Sequence, residues 1–133
     1  MIIGQISADR EAVIPVLVLD SEEQPTEVEA VIDTGFTDFL TLPLVLIATL
    51  RLTFRESVEF VLGDGSPVQF DTYVATVLWD GEKKNILVLA SEGGPLVGMS
   101  MLYGYRVTLD VLDGGAVTIE AKTATRTRPG RFV

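Results

Sequence analysis

The sequence predicts a single all-β domain, and three observations predict it. Short apolar runs with period-two alternation recur along its 133 residues. Links rich in glycine and aspartate, of hairpin type, separate these runs. Only two brief stretches carry a helix signal. Many short strands joined by hairpins make a closed or sandwiched β architecture.

The elements follow in order. Residues 12–19 are an apolar run that ends at the turn-like Asp20-Ser21-Glu22-Glu23-Gln24-Pro25. Over 27–33, Glu27 and Glu29 point one way and Val28, Ala30 and Ile32 the other, which predicts a half-buried strand. Pro43 to about Leu50 predicts a helix with proline in its first turn. Segments 57–62 and 67–79 flank Gly63-Asp64-Gly65-Ser66 and predict a hairpin. Asp80-Gly81 closes a second hairpin into 84–90, and Asp113-Gly114-Gly115 a third between 105–112 and 116–121. A second, shorter helix is expected around Ser100–Tyr103.

Composition removes several chemistries. Nearly half the residues are apolar (47%), so the chain has the material for a core. It has no cysteine and no histidine. Disulfides, Cys-His and Ser-His-Asp catalysis and the usual zinc sites are therefore excluded. Catalysis would have to come from carboxylates, hydroxyls, lysine or backbone groups. Neither a metal loop nor a phosphate-binding glycine loop is present, and we expect no cofactor.

The net charge of -9 is unevenly placed. Lys122, Arg126, Arg128 and Arg131 fall in 121–133 with no acid. Residues 1–120 hold 6 basic against 19 acidic residues, a balance of -13. Such an acidic body argues against nucleic acid as partner. We divide the chain into a domain, 1–121, and a basic tail, 122–133, read as a flexible solvated end or a tether to something anionic. Leu40 to Leu52 is the most apolar stretch, too short to span a bilayer and interrupted by Pro43 and Arg51. The start lacks the pattern of a secretory signal. The expectation is a cytoplasmic protein that does not bind membranes.

The chemistry-bearing feature is Asp33-Thr34-Gly35. Asp33 ends a strand with one apolar face, which delivers its carboxylate into a loop beside the core. Thr34 offers a hydroxyl that donates and accepts. Gly35 leaves room for close approach of backbone or substrate. A carboxylate so held activates water if a second one shares the proton. The chain has one Asp-Thr-Gly, so the second aspartate would come from another copy across a two-fold axis. By itself the triplet is also ordinary turn chemistry.

Its surroundings carry more. Ala30-Val31-Ile32-Asp33-Thr34-Gly35 is followed by Leu62-Gly63-Asp64-Gly65-Ser66 and then Pro95-Leu96-Val97-Gly98-Met99-Ser100-Met101-Leu102. In this order and spacing, residues 12–121 resemble the single-domain retropepsin-like aspartic peptidases, the family of retroviral proteases and their bacterial relatives. The run Asp33 to Pro43 looks most like bacterial members. The resemblance implies a closed β-barrel with one or two short helices, active as a homodimer on a polypeptide substrate. It implies that Asp33 is catalytic, that Thr34 braces the two loops across the dimer axis and that Gly35 lines the cleft. Gly63, Asp64 and Gly65 would form the flap over bound peptide. Leu96, Val97 and Gly98 would pack behind the active loop.

Some positions depart from the family. Phe36 stands where Ala or Ser is frequent; its ring either narrows the cleft or fills a hydrophobic pocket. Thr37 and Met99 replace an acid and an arginine that pair in retroviral members. Both partners are missing together, so no unpaired charge is buried. The same fold used only for peptide binding or dimerisation is the competing expectation. Asp38 is expected in a solvated loop, and Phe39, Trp79 and Tyr105 chiefly in the core.

Overall fold

The structure is a computed structural model, and it describes residues 1–122. The expectation for the basic tail lies outside the described residues, except that Lys122 N–H donates to Gly104 O at 3.0 Å. The strands are β1 (Ile2–Ile6), β2 (Ala12–Leu19), β3 (Pro25–Ile32), β4 (Leu40–Leu42), β5 (Thr53–Val61), β6 (Pro67–Trp79), β7 (Glu82–Ala90), β8 (Leu96–Val97), β9 (Tyr105–Leu109) and β10 (Ala116–Ala121). The helices are α1 (Leu44–Leu50) and α2 (Met99–Leu102). The chain is mostly β-sheet, as its alternating pattern predicts.

All the strands join one sheet in the order β5-β6-β7-β4-β8-β3-β2-β1-β10-β9. In addition β6 pairs with β2, through Leu17↔Leu78, Val18↔Val77 and Leu19↔Thr76. The pairings β2–β3–β8–β4–β7–β6 therefore return to β2, and the apolar faces of these strands turn inward together. Ile14, Val16, Val18, Leu40, Val88 and Val97 are buried there to 1% exposure or less. Each such side chain stabilises the fold by about 1.5–3 kcal/mol relative to leaving it in water.

The alternation read in β3 is realised: Val28 and Ala30 are buried and Glu27 and Glu29 exposed. Pro43 caps α1 from outside rather than filling its first turn, and accepts from Leu46 N–H and Ile47 N–H through its carbonyl. Arg51 ends that helix in the left-handed conformation, φ 56°. Further details differ from the sequence reading. β5 begins at Thr53, four residues early, because a bulge between Phe54 and Glu56 lets the ladder with β6 continue. β9 stops at Leu109, because Leu112 N–H bonds back to Asp110 O at 2.9 Å and tightens the turn. β1 and β4 escaped notice, being short and lacking turn residues on both sides.

Candidate active site

β3 and β4 flank the Asp33 loop in sequence, and β8 lies between them in space. β8 runs parallel to β3, with Ile32↔Val97, and antiparallel to β4, with Leu40↔Val97. Three strands thus converge at the base of the loop. Asp33 N–H donates to Val97 O at 2.9 Å, which sets where the aspartate leaves the sheet. Phe36 N–H donates to Asp33 O at 3.1 Å and closes the turn. Gly35 N–H donates to Asp33 Oδ1 at 2.9 Å, orienting the carboxylate. A β-carbon on Gly35 would stand 3.3 Å from that oxygen, so glycine gives the carboxylate its clearance.

The far side of the loop is bolted to the β8–α2 junction. Gly98 N–H donates to Phe39 O at 3.0 Å, Met99 N–H to Phe36 O at 2.8 Å and Ser100 N–H to Asp38 O at 3.2 Å. Ser100 Oγ donates to Thr37 O at 2.5 Å. Gly98 is compelled here, since a β-carbon would lie 2.2 Å from Asp38 O and 2.6 Å from Phe36 O. Thr37 and Met99 are both exposed. Backbone bonds and Ser100 hold these two elements together without any ion pair between those positions. Val97 is fully buried at the base of the loop, whereas Leu96 is part of the cleft lining. Thr41 Oγ1, on buried β4, accepts from Leu96 N–H at 2.9 Å.

A cleft of about 400 Å³ opens above Asp33. Asp33, Gly35, Phe36 and Asp38 form part of its floor and wall, with Thr41, Leu89, Ser91 and Leu96 beside them. Thr37 also lines it, and the opposite side comes from the β5–β6 hairpin: Phe60, Val61, Leu62 and Phe70. The Phe60 and Phe70 rings meet edge-on at 5.4 Å. Val61 and Leu62 are 72% and 45% exposed, an apolar surface presented over a polar floor. Phe36 is half-buried and lines the cleft without closing it.

The hairpin tip, Gly63-Asp64-Gly65, is a three-residue loop. Gly65 N–H donates to Leu62 O at 2.9 Å and Leu62 N–H to Ser66 O at 2.9 Å, and Gly65 takes φ 88°. Asp64 Oδ1 accepts from Ser66 Oγ and from Ser66 N–H. These bonds hold the Asp64 carboxyl below its ordinary range. The tip residues are exposed and stand outside the cleft lining; Phe60 to Leu62 and Phe70 form the contact surface in their place. That surface was legible: a loop of three residues between Leu62 and Ser66 fixes Phe60↔Val68 and Val58↔Phe70, so both rings share the hairpin's inner face.

Thr34 is exposed at the turn beside Asp33. Trp79 is buried, with Tyr105 edge-on to it at 5.9 Å, and Lys84 Nζ lies 5.9 Å from the centre of the Phe39 ring. A larger depression, about 530 Å³, includes Leu19, Arg51 and the ion-paired Glu23 and Lys83. It contains none of the residues drawn from the motifs. Among the described residues no group of three or more acids could hold a metal ion, and no helix is long and apolar enough to cross a membrane. Comparison with family models, curated proteins and solved structures finds no match.

Proposed function

We propose that the chain is a retropepsin-like aspartic endopeptidase, assembled as a homodimer around two copies of Asp33. One observation carries the reading. The strand preceding Asp33 and the strand following its loop are spanned by β8, and the β5–β6 hairpin covers the resulting cleft. The closed circuit of strand pairings supports the barrel that goes with this reading. A carboxylate oriented by a backbone N–H and an apolar roof over the cleft suit a peptide bound as an extended strand.

In the dimer the two Asp33 carboxyls share one proton, since two adjacent carboxylates do not both ionise. The ionised one takes a proton from water as the oxygen attacks the peptide carbonyl. The protonated one gives its proton to the carbonyl oxygen. The tetrahedral intermediate then collapses, the C–N bond breaks and the amine leaves with a proton from the dyad. Thr34, exposed beside each Asp33, would bridge the loops across the axis. Phe60, Val61, Leu62 and Phe70 would close over the peptide and exclude water. The reaction needs no cofactor.

The test is Asp33→Ala. It abolishes cleavage of a peptide library and leaves the far-UV circular dichroism unchanged. Undiminished hydrolysis by that variant would remove the mechanism. One observation favours a second reading, a peptide-binding module: each copy has a single Asp-Thr-Gly, so one chain alone presents half a catalytic pair. Binding of apolar peptides without cleavage at any pH from 4 to 7, and without affinity for a pepstatin-type inhibitor, would select it.

A further inference from the structure

We propose that the depression at the end of α1 is a binding site for a small zwitterion with an apolar body, a short peptide with both ends free. The site goes beyond the peptidase reading and does not rest on it, since it shares no residue with the Asp33 cleft.

The depression follows from a break in the strand pairing. One edge of β6 is bordered by β7 from Thr72 to Trp79. On the other edge the neighbour changes. Val74 pairs with Thr53 at the start of β5, and Thr76 pairs with Leu19 at the end of β2. Ala75 lies between the two ladders. β2 and β5 part there, and a space of about 530 Å³ opens in the gap. That volume is in the range of small-molecule sites. Leu19, Leu52, Val74 and Ala75 supply its apolar lining.

Its charged groups do not all satisfy one another. Lys83 Nζ donates to Glu23 Oε1 at 2.9 Å, so these two are already paired. Asp20 and Arg51 remain. Both line the depression, and among the described residues neither takes part in an ion pair. Asp20 Oδ1 accepts from Glu22 N–H at 2.8 Å and from Gln24 N–H at 2.9 Å. These bonds leave Oδ2 for a cation. Thr76 Oγ1 donates to Asn85 Oδ1 at 2.8 Å, so the Asn85 side-chain N–H groups stay available as donors in the same space. Arg51 and Asn85 suit a carboxylate, and Asp20 suits an ammonium. A ligand of one charge sign would leave either Asp20 or Arg51 without a partner.

The backbone holds these groups in place ahead of a ligand. Four described non-glycine residues have a left-handed φ, and two of them line this depression: Arg51 at 56° and Glu23 at 60°. Such conformations disfavour a residue with a β-carbon and gather at ligand sites. The end of α1 needs a left-handed residue, for which glycine is the usual choice. An arginine there ends the helix no better and brings a guanidinium to the depression. Ser21 N–H donates to Leu50 O at 3.2 Å, which ties the turn carrying Asp20 to the helix end carrying Arg51. The opposite charges thus sit on two joined elements, and little ordering is left for binding to do.

The probe is L-leucyl-L-leucine, titrated into the protein and followed by backbone amide shifts. Saturable shifts are expected at Ser21, Leu52 and Thr76, with Gly35 and Leu96 unmoved. The N-acetylated and the C-amidated dipeptides are each expected to bind at least about tenfold more weakly. Arg51→Gly keeps the left-handed turn, so the melting temperature should hold or rise while affinity for the probe falls at least about tenfold. Asp20→Asn keeps an acceptor for Glu22 and Gln24 N–H and should make binding insensitive to N-acetylation. No saturable shift up to about 10 mM probe, or shifts confined to the Asp33 cleft, would overturn the site. Equal binding of the acetylated and free dipeptides by the wild-type protein, or undiminished binding by Arg51→Gly, would overturn the assignment of a zwitterion.

Discussion

Gly98 lies directly beneath Phe36: a β-carbon at Gly98 would stand 2.6 Å from both the ring Cδ2 and the carbonyl oxygen of Phe36. The contact joins the two segments that define the site, the loop after Asp33 and the junction of β8 with α2. It also gives Phe36 its place. The ring rests against the bare backbone of Gly98 and forms one wall of the cleft, so the large residue after Asp-Thr-Gly does not fill the space above Asp33.

Gly98→Ala is accordingly expected to destabilise the protein by about 1–3 kcal/mol, the usual cost of forcing an added carbon into a packed site. Two of the three nearest atoms are backbone oxygens, so trimming Phe36 does not restore the room. Urea denaturation of Gly98→Ala and of the double variant with Phe36→Ala checks this.

Thr41→Val removes the oxygen that accepts from Leu96 N–H and leaves that donor buried without a partner. The expected loss is about 1–3 kcal/mol, and Thr41→Ser should recover most of it. Because Leu96 lines the cleft, the loss should also appear as faster hydrogen exchange at the β4–β8 pairing.

Phe70→Ala takes away half of the aromatic pair that roofs the cleft. With a partly buried ring worth about 1–2 kcal/mol in contact, kcat/KM on apolar peptides should fall about tenfold. Gly65→Ala, by contrast, should act through the strained φ of the tip and slow flap closure without altering side-chain preference. Kinetics on a matched peptide series separates the two.

The tip of the β5–β6 hairpin should respond to acid. The Asp64 carboxyl is held below its ordinary range by Ser66. Its stabilising bonds are thus fully present above that ordinary value and are lost as pH falls through the lowered one. The Ser66 amide resonance should report a midpoint below that of an unstructured aspartate. Ser66→Ala should move it upward.

Much of this was legible in the chain because local chemistry and global fold agree. Glu27 and Glu29 alternating with Val28 and Ala30 specify β3 and its inward face, and Gly63-Asp64-Gly65 specifies a hairpin and its register. The placement of β8 was hidden. Leu96-Val97 is a two-residue strand, and its partners are some 55 to 65 residues back in sequence, at Ile32 and Leu40. No local period encodes such a pairing. β4 was masked in the same way by the apolar run that continues into α1. The roof of the cleft was misjudged for a different reason. Glycines at the tip signal where a hairpin turns, whereas the surface that meets a ligand is set by which side chains the register places inside.

The central claim is that Asp33 is half of a site. Wild-type chains and Asp33→Asn chains, mixed at equal amounts and allowed to exchange subunits, test it most directly. If each site needs both carboxylates, only dimers with two wild-type chains work, and activity per total chain falls to about a quarter of the wild-type value. A fall only to about half, as when each chain's Asp33 works independently, or to about three quarters, as when one Asp33 per dimer suffices, would contradict the account.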